Sequence, residues 1–197
     1  MMRISLLAAA VVVALVSNGW PAAADDWPQW KGPRRDGLSA ETGLLKQWPE
    51  GGPQRIWMFE DCGTGYAGPA IVGDRMYILG GRNGQCQLLA LDANTGRELW
   101  AVTLGEEYVN DWGDGPRSTP TVENGLIYVM GAKGDLVCVR AADGSEIWRT
   151  NLQNELAGTE PQWGYSESVL IDGDRLLCTP GGSQGAIAAL DKATGKV

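Results

Sequence analysis

Short apolar runs alternate with tight polar turns along most of the chain, and one arrangement of them occurs three times. Each copy has an apolar run, a turn that contains Gly with Asp or Asn, and a second apolar run. The three copies cover residues 65–78, 115–129 and 164–178. Dipeptides such as Asn124-Gly125 and Asp172-Gly173 accept the positive φ of a two-residue hairpin turn. Each copy therefore predicts two antiparallel strands.

Each hairpin continues into further apolar runs, which makes a repeat of four strands. The third runs are residues 87–91, 136–139 and 186–190, and the fourth are 97–100 and 145–148. The turn glycines Gly96, Gly144 and Gly195 are 48 and 51 residues apart. Four strands in a repeat of about 50 residues are typical of a propeller blade, whose small sheet cannot bury its faces alone.

The predicted fold class is therefore all-β, with blades of four antiparallel strands. We expect an incomplete, open propeller of about three to four blades. A helical solenoid is excluded because no segment has a 3.6-residue period. The alternative is a β-sandwich whose strand spacing is coincidental.

Composition narrows the chemistry. The 197 residues include 28 Gly, 10 Pro and 9 Trp but no His, which excludes imidazole zinc and haem sites and His-dependent nucleophilic catalysis. The cysteines are far apart and include no C-x-x-C pair, so no metal site is predicted. The four cysteines are Cys62, Cys86, Cys138 and Cys178. They could form disulfides in an exported chain or be buried free thiols, and the sequence leaves both alternatives open.

The first 24 residues have the layout of a secretory signal peptide. Arg3 precedes an apolar run over 4–16, and Ala22-Ala23-Ala24 supplies the small residues of a cleavage site. An uncleaved N-terminal anchor is the alternative. The expected location is periplasmic or extracellular, with no stable membrane span after cleavage. The net charge of −8 argues against a nucleic-acid partner, which requires basic patches.

Residues 90–100 resemble the A-x-D-x-x-T-G-[KR]-x-x-W tryptophan-docking motif of the pyrroloquinoline-quinone (PQQ) type β-propeller repeat. Residues 189–196 fit the same pattern up to the lysine, and the middle copy keeps only its glycine and tryptophan. The structural docking residues predicted from the motif are Trp57, Asp92, Thr95, Gly96, Trp100, Gly144, Trp148, Asp191, Thr194 and Gly195.

The chemistry of the motif explains its residue types. An Asp accepts backbone N–H groups in its own turn, and Gly permits a positive φ. A Trp side chain buries about 150–250 Å² against a neighbouring blade. Ligand stacking is the alternative for these rings, but their regular recurrence on closing strands favours docking.

The predicted boundaries are a signal peptide over 1–24, a lead-in rich in Trp and Pro over 25–53, and repeats over 54–197. The repeats divide into a partial blade over 54–60 and blades at about 65–104, 115–152 and 164–197, the last truncated. The chain thus resembles an N-terminal fragment, and its exposed strand edges favour pairing with another chain.

The lead-in has its own resemblance. Its residues 26–37 resemble the W-P-x-[WF]-[RK]-G-P-x-R-x-G opening of exported PQQ-like propeller proteins. We expect Trp27 and Trp30 to pack across the propeller, with peptide recognition as the alternative. A turn of helix is predicted over 42–48.

Candidate functional residues lie in the least repetitive loops, 106–119 and 154–167. Both place a Trp-Gly pair beside carboxylates, just before the first strand of a blade. On a propeller, such loops can line one mouth of the central channel, where a polar ligand, cation or redox cofactor would bind. The predicted mouth residues are Asp111, Trp112, Asp114, Arg117, Trp163 and Glu167, with Glu160 a weaker candidate. The alternative is that Asp and Gly build turns while the two tryptophans cover the blade junction.

The family resemblance implies two functions. Some members oxidise alcohols or sugars with PQQ and a calcium ion, and another is an outer-membrane assembly lipoprotein that binds partners through its loops. The chain has no adjacent cysteine pair and no matching calcium loop, so catalytic and cofactor-binding residues stay unassigned. We predict an exported binding or assembly scaffold without catalysis, whose partner is a protein or a small polar or carbohydrate ligand. The alternative is a PQQ- and calcium-dependent alcohol or sugar dehydrogenase-like protein.

Overall fold

The computed structural model describes residues 25–197, so the predicted signal peptide lies outside the described residues. The described chain contains three antiparallel sheets and one short helix. The first sheet has the order β1 (Ala70–Val72), β2 (Arg75–Arg82), β3 (Gln85–Asp92) and β4 (Glu98–Glu106). The second has β5 (Thr121–Glu123), β6 (Leu126–Met130), β7 (Asp135–Arg140) and β8 (Glu146–Asn151), followed by α1 (Leu152–Leu156). The third has β9 (Leu170–Asp172), β10 (Arg175–Cys178) and β11 (Ala188–Asp191).

This arrangement confirms the all-β fold class and the open arrangement of antiparallel blades. Within each sheet, neighbours in sequence are also neighbours in space, as a repeat of hairpins requires. Asn124 and Gly125 take φ values of +50° and +76° between β5 and β6, the conformation of a two-residue hairpin turn. Asn83 and Gly84 do the same between β2 and β3.

The core lies between the sheets. One buried cluster joins the first and second sheets and includes Tyr77, Leu88 and Val129. A second cluster joins the second and third sheets and includes Tyr128, Leu136 and Leu176. Each sheet therefore buries a face against its neighbour, which is what a blade too small to stand alone requires.

Both four-stranded sheets carry a β-bulge beside their docking tryptophan. Trp100 pairs with Ala90 while Glu98 pairs with Leu91, so the ladder omits Leu99. The second sheet repeats this irregularity between Cys138 and Val139. A bulge bends its strand, and in both sheets it lies directly before the tryptophan that reaches the next sheet.

One local prediction needs correction. The predicted helix over 42–48 is wrong, because the segment contains only bends and Gly43 has a φ of +72°, outside the helical region. The extended segment 54–60 forms no strand ladder within the described residues, although Trp57 on it is docked. No helix among residues 25–197 is long and apolar enough to cross a membrane.

The lead-in runs across the first strands of successive sheets. Trp27 exchanges two backbone hydrogen bonds with Ile71, at 2.8 and 2.9 Å. The Val122 N–H donates to the Pro28 carbonyl at 2.8 Å, and Arg35 donates to the carbonyl of Ser168 at 2.8 Å. The segment thereby contacts the first strands of the first two sheets and the residues directly before β9, and it brings Trp30 and Arg35 beside the inter-blade loops.

Candidate functional site

Three tryptophans, Trp57, Trp100 and Trp148, join one repeat to the next by packing on the turn glycine of the following motif. Two of them also make an indole hydrogen bond. The Trp57 indole N–H donates to the Ala93 carbonyl, and that of Trp148 donates to the Lys192 carbonyl, both at 2.9 Å. Each ring lies on the turn glycine of the following motif. A Cβ built on Gly96 would stand 2.6 Å from the ring of Trp57, and the equivalent contacts are Gly144 with Trp100 at 2.9 Å and Gly195 with Trp148 at 2.6 Å. The turn therefore requires glycine for both space and φ.

The motif aspartates hold their own turns. The Asp92 carboxylate accepts the N–H groups of Asn94 and Thr95 and the Thr95 hydroxyl, at 2.9–3.0 Å. Asp191 does the same with Ala193 and Thr194. These hydrogen bonds, the threonine hydroxyl first among them, lower the pKa of both carboxyls.

In the middle motif, a different aspartate holds the turn. Arg140 stands where the other copies have Asp, and Asp143 instead accepts the N–H and hydroxyl of Ser145, at 2.9 and 2.7 Å. These bonds lower the pKa of Asp143, the backbone N–H having the largest effect. The departure from the sequence pattern therefore keeps a carboxylate-capped turn.

The junction at Trp100 lacks the indole hydrogen bond. Its buried Nε1 has no partner within the described chain. The carbonyl of Ala141, which corresponds to that of Ala93, instead accepts from the Arg75 guanidinium at 2.7 Å and from the Tyr77 hydroxyl at 3.3 Å. The ring still packs on the glycine turn, so docking and hydrogen bonding are separable in this chain.

In the first inter-blade loop, the predicted mouth residues Asp114 and Arg117 hold the backbone. The Asp114 carboxylate accepts the Asn110 N–H at 2.9 Å. The Arg117 guanidinium donates to the carbonyls of Gly113 and Gly115 at 2.7 and 2.6 Å. It also stands over the rings of Tyr66 and Tyr108, at 5.4 and 4.8 Å from the centroids. These polar groups therefore build the loop, as the turn-building alternative expects.

The two loop tryptophans meet at the surface. Trp112 and Trp163 form an edge-to-face pair with centroids 6.0 Å apart and an interplanar angle of 75°. They are 77% and 43% exposed. The Tyr108 hydroxyl donates to the Gln162 carbonyl at 2.8 Å and ties the two loops together. This exposed aromatic pair is called the tryptophan pair below.

A groove of about 360 Å³ lies beside the loops and the lead-in. Its lining residues are Trp30, Arg35, Arg117, Ser166, Glu167 and Ser168. Both carboxylate oxygens of Glu167 are engaged by Thr179, through its N–H at 2.7 Å and its hydroxyl at 2.6 Å. Burial lowers the pKa of Arg35, and the nearby Glu167 carboxylate opposes that shift.

The structure thus brings four of the six predicted mouth residues into two separate pairs. Trp112 lies against Trp163, and Arg117 and Glu167 line one groove, whereas Asp111 is exposed and Asp114 serves its own loop. Sequence reasoning did not place Arg35 or Trp30 in this groove. The dense Trp, Pro and Arg pattern of 26–37 was the only signal, and it carried no information about which loop it would meet.

No group of three or more Cys, Asp and Glu side chains within 25–197 is placed to hold a metal ion. All four cysteines are free thiols. Burial raises the pKa of Cys86, Cys138 and Cys178 to about 12, which keeps these thiols neutral and poor as metal ligands.

The comparisons with known proteins agree on one family and one fold. Residues 52–134 and 86–197 match the family model described as "Outer membrane protein assembly factor BamB". A protein of that name from Xanthomonas campestris pv. campestris is 31% identical over 100 residues, which are 48% of this chain and 24% of the relative.

Solved structures extend the likeness to the backbone. The quinohemoprotein alcohol dehydrogenase from Comamonas testosteroni superposes with a TM-score of 0.63 at 20% identity, over 87% of this chain and 26% of that one. BamB from Moraxella catarrhalis superposes with a TM-score of 0.50 at 18% identity, over 72% of this chain and 40% of that one.

At such identities the structural matches show the fold alone. The matched stretch also spans only about a quarter of the length of the curated relative. The family matches, in contrast, together cover residues 52–197 and include every docking motif described above. The chain therefore belongs to the PQQ-like β-propeller repeat family whose model is described as outer membrane protein assembly factor BamB.

Proposed function

We propose that the chain is an exported propeller unit that acts as a binding or assembly scaffold and has no catalysis of its own. The observation that carries the proposal is that the polar and the aromatic side chains of the loops differ in what they contact. Their polar side chains Asp114, Arg117 and Glu167 are engaged in internal hydrogen bonds, whereas the faces of the tryptophan pair are exposed. Groups held in this way position a surface rather than react.

The partner that suits this surface is a protein segment with apolar and basic side chains. Exposed tryptophans supply large, rigid contact areas, and tryptophan is enriched among the residues that dominate protein interfaces. Asp111 and Glu160 are exposed on the two loops that carry the pair, and the whole chain has a net charge of −8. Carboxylates around an aromatic centre favour a partner of opposite charge.

The predicted signal peptide supports the same function. The pattern at 1–24 predicts a periplasmic or extracellular location. The description of the matching family names an outer membrane assembly factor. We propose that this chain binds other envelope proteins in that compartment.

The binding experiment uses a panel of unstructured peptides of matched length, either basic and apolar or acidic and polar, titrated against the full chain. Binding is followed by fluorescence anisotropy of labelled peptide. We expect the basic, apolar set to bind, and Trp112→Ala and Trp163→Ala each to weaken binding at least about tenfold, the scale of a hot-spot residue.

Trp48→Ala is the matched control, since Trp48 is exposed but lies outside both loops. Equal losses in all three variants would contradict the assignment of the site, as would binding that no variant changes. Binding of oligosaccharides in place of peptides, with the same loss in the two loop variants, would overturn the protein partner and favour a carbohydrate ligand.

Catalysis is tested separately on the full chain supplied with PQQ and Ca²⁺. Reduction of an electron-accepting dye is measured with alcohol and sugar substrates. We expect no turnover above that of free PQQ. Turnover that depends on the protein, on PQQ and on substrate would overturn the scaffold proposal in favour of a dehydrogenase-like protein.

A further inference from the structure

The groove beside the lead-in contains two arginines that make no ion pair within residues 25–197. Arg35 donates to the backbone carbonyls of Ser168 and Val169, at 2.8 and 3.1 Å. Its other acceptor is the side-chain oxygen of Gln29 at 3.2 Å, so all of its acceptors are neutral. Arg117 likewise donates only to backbone carbonyls. Both positive charges are therefore available to an anion.

Both guanidinium groups also keep unused donors. A guanidinium has five N–H groups, and within the described chain Arg35 makes three hydrogen bonds and Arg117 makes two. These bonds hold each group in place, so little side-chain freedom is lost when an anion binds. Burial lowers the pKa of Arg35, because desolvation disfavours its charged form, and a bound anion would offset that cost.

Glu167 is the one acidic residue among the described residues that line the groove, and it is engaged elsewhere. Its two carboxylate oxygens accept the N–H and the hydroxyl of Thr179, at 2.7 and 2.6 Å. Two arginines and one glutamate give the lining one net positive charge, in a chain whose net charge is −8. This local excess of positive charge matches a single carboxylate.

The groove also has an aromatic wall, which Trp30 supplies. Its ring is 47% exposed, and the Lys31 Nζ stands 4.6 Å from the ring centroid, which adds a further positive charge beside the groove. The volume of about 360 Å³ lies near the lower end of the range of small-molecule sites, about 300–1,000 Å³. Such a space suits the last residue of a chain better than a segment that continues in both directions.

The groove and the tryptophan pair are built on the same two loops. Arg117 follows Trp112 in the first loop, and Ser166 follows Trp163 in the second. The Arg117 guanidinium stands 5.4 Å from the ring centroid of Tyr66, whose hydroxyl donates to the Trp112 carbonyl at 3.3 Å. A protein segment that binds the tryptophan pair can therefore extend along these loops into the groove.

We propose that the groove binds the free C-terminal carboxylate of the partner segment, with the last side chain of that segment against Trp30. Arg35 and Arg117 donate charge-assisted hydrogen bonds to the carboxylate oxygens, the contact for which guanidinium geometry is suited. Capture of a chain end by an array of donors is one of the recurring modes of peptide recognition. The inference rests on the function proposed for the tryptophan pair, and it specifies which part of the partner is bound.

The test uses one basic, apolar peptide in two forms, with a free C-terminal carboxylate and with a C-terminal amide. Each carries an N-terminal label, and fluorescence anisotropy with the full chain gives its dissociation constant. We expect the free acid to bind about tenfold more tightly, the scale of a hydrogen bond to a charged group. Arg35→Gln should abolish this difference. Arg34→Gln, at an exposed arginine outside the groove, should preserve it.

The ratio of the two constants separates recognition from structure, because a general loosening of the lead-in by Arg35→Gln would weaken both forms and leave their ratio unchanged. Equal binding of the two forms would overturn the carboxylate site and leave the function of the tryptophan pair intact, as would a difference that survives Arg35→Gln. An amidated peptide with Glu at its penultimate position is the third arm, and binding as tight as that of the free acid would overturn the chain end as the ligand. Binding of neither form would overturn both proposals.

Discussion

The two tryptophans at successive blade junctions provide a direct test of what the indole hydrogen bond contributes. Trp148→Phe and Trp100→Phe remove the same atoms from rings that occupy equivalent places. Only Trp148 loses a hydrogen bond by the change, from its N–H to the Lys192 carbonyl at 2.9 Å. Trp100 loses an N–H that is buried without an acceptor in the described chain.

The expected magnitudes follow from general hydrogen-bond energetics. A made hydrogen bond contributes about 1 kcal/mol net, whereas a buried unsatisfied donor costs about 1–3 kcal/mol. Loss of the ring area is common to both variants and cancels in their difference. Trp148→Phe should therefore destabilise the chain by about 2 kcal/mol more than Trp100→Phe, which is roughly a 30-fold difference in the unfolding equilibrium.

The assay is urea unfolding followed by circular dichroism, with unchanged m-values as the criterion that both variants unfold as the parent does. Arg75→Met extends the test, since it removes the guanidinium that donates to the Ala141 carbonyl. In that background the Ala141 carbonyl keeps only the Tyr77 hydroxyl at 3.3 Å. The indole of Trp100 can then donate to its second lone pair, so Trp100→Phe should become more costly. Equal destabilisation of Trp100→Phe and Trp148→Phe would show that the indole hydrogen bond of Trp148 contributes nothing to stability.

Three further predictions concern the motif turns and the thiols. Gly195→Ala should lower the free energy of unfolding by more than about 1 kcal/mol, because its φ is +72° and its Cβ would meet the ring of Trp148. The control in the same unfolding assay is Gly51→Ala, which has a φ of +89° and open space around it. Equal losses in the two variants would contradict the clash with Trp148. In a thiol-reagent titration of the folded chain only Cys62, the half-buried thiol, should react, and the three buried cysteines should react only after denaturant is added; fewer than four thiols in denaturant would contradict the free state. The lowered pKa of Asp191 stabilises the fold above the ordinary carboxyl pKa, and this stability is lost as pH falls through the lowered value. Acid unfolding of Asp191→Asn should therefore depend less steeply on pH than that of the parent, and an unchanged slope would count against the turn.

The repeat itself could be predicted from the sequence because its signals are local. The Gly96 turn, its Asp92 cap and the tryptophan four residues later lie within one short segment, so spacing alone determines their relation. The hairpin at Asn124-Gly125 is equally local, and the structure has it where the dipeptide predicts. Such features depend on backbone conformation over a few residues, and the identity and order of those residues largely determine that conformation.

The candidate site could be predicted only in part because its contacts are distant in sequence. Arg35 reaches the carbonyl of Ser168 across 133 residues, and no local pattern encodes that pairing. The contact of Trp112 with Trp163 depends on how two loops pack, although both tryptophans could be selected from their neighbours. The indole N–H of Trp100 is unpartnered beside an Ala141 carbonyl that already accepts from Arg75, a residue of another strand.

Site-specific photocrosslinking of the full chain, in the cells that make it, tests whether the tryptophan pair is the binding surface. A photoreactive residue is placed at position 112, with position 48 as the exposed control. We expect a discrete protein adduct at position 112 that Trp163→Ala abolishes, and none at position 48. An absence of adducts at position 112, or the same adducts at both positions, would contradict the assignment of the tryptophan pair as the binding surface.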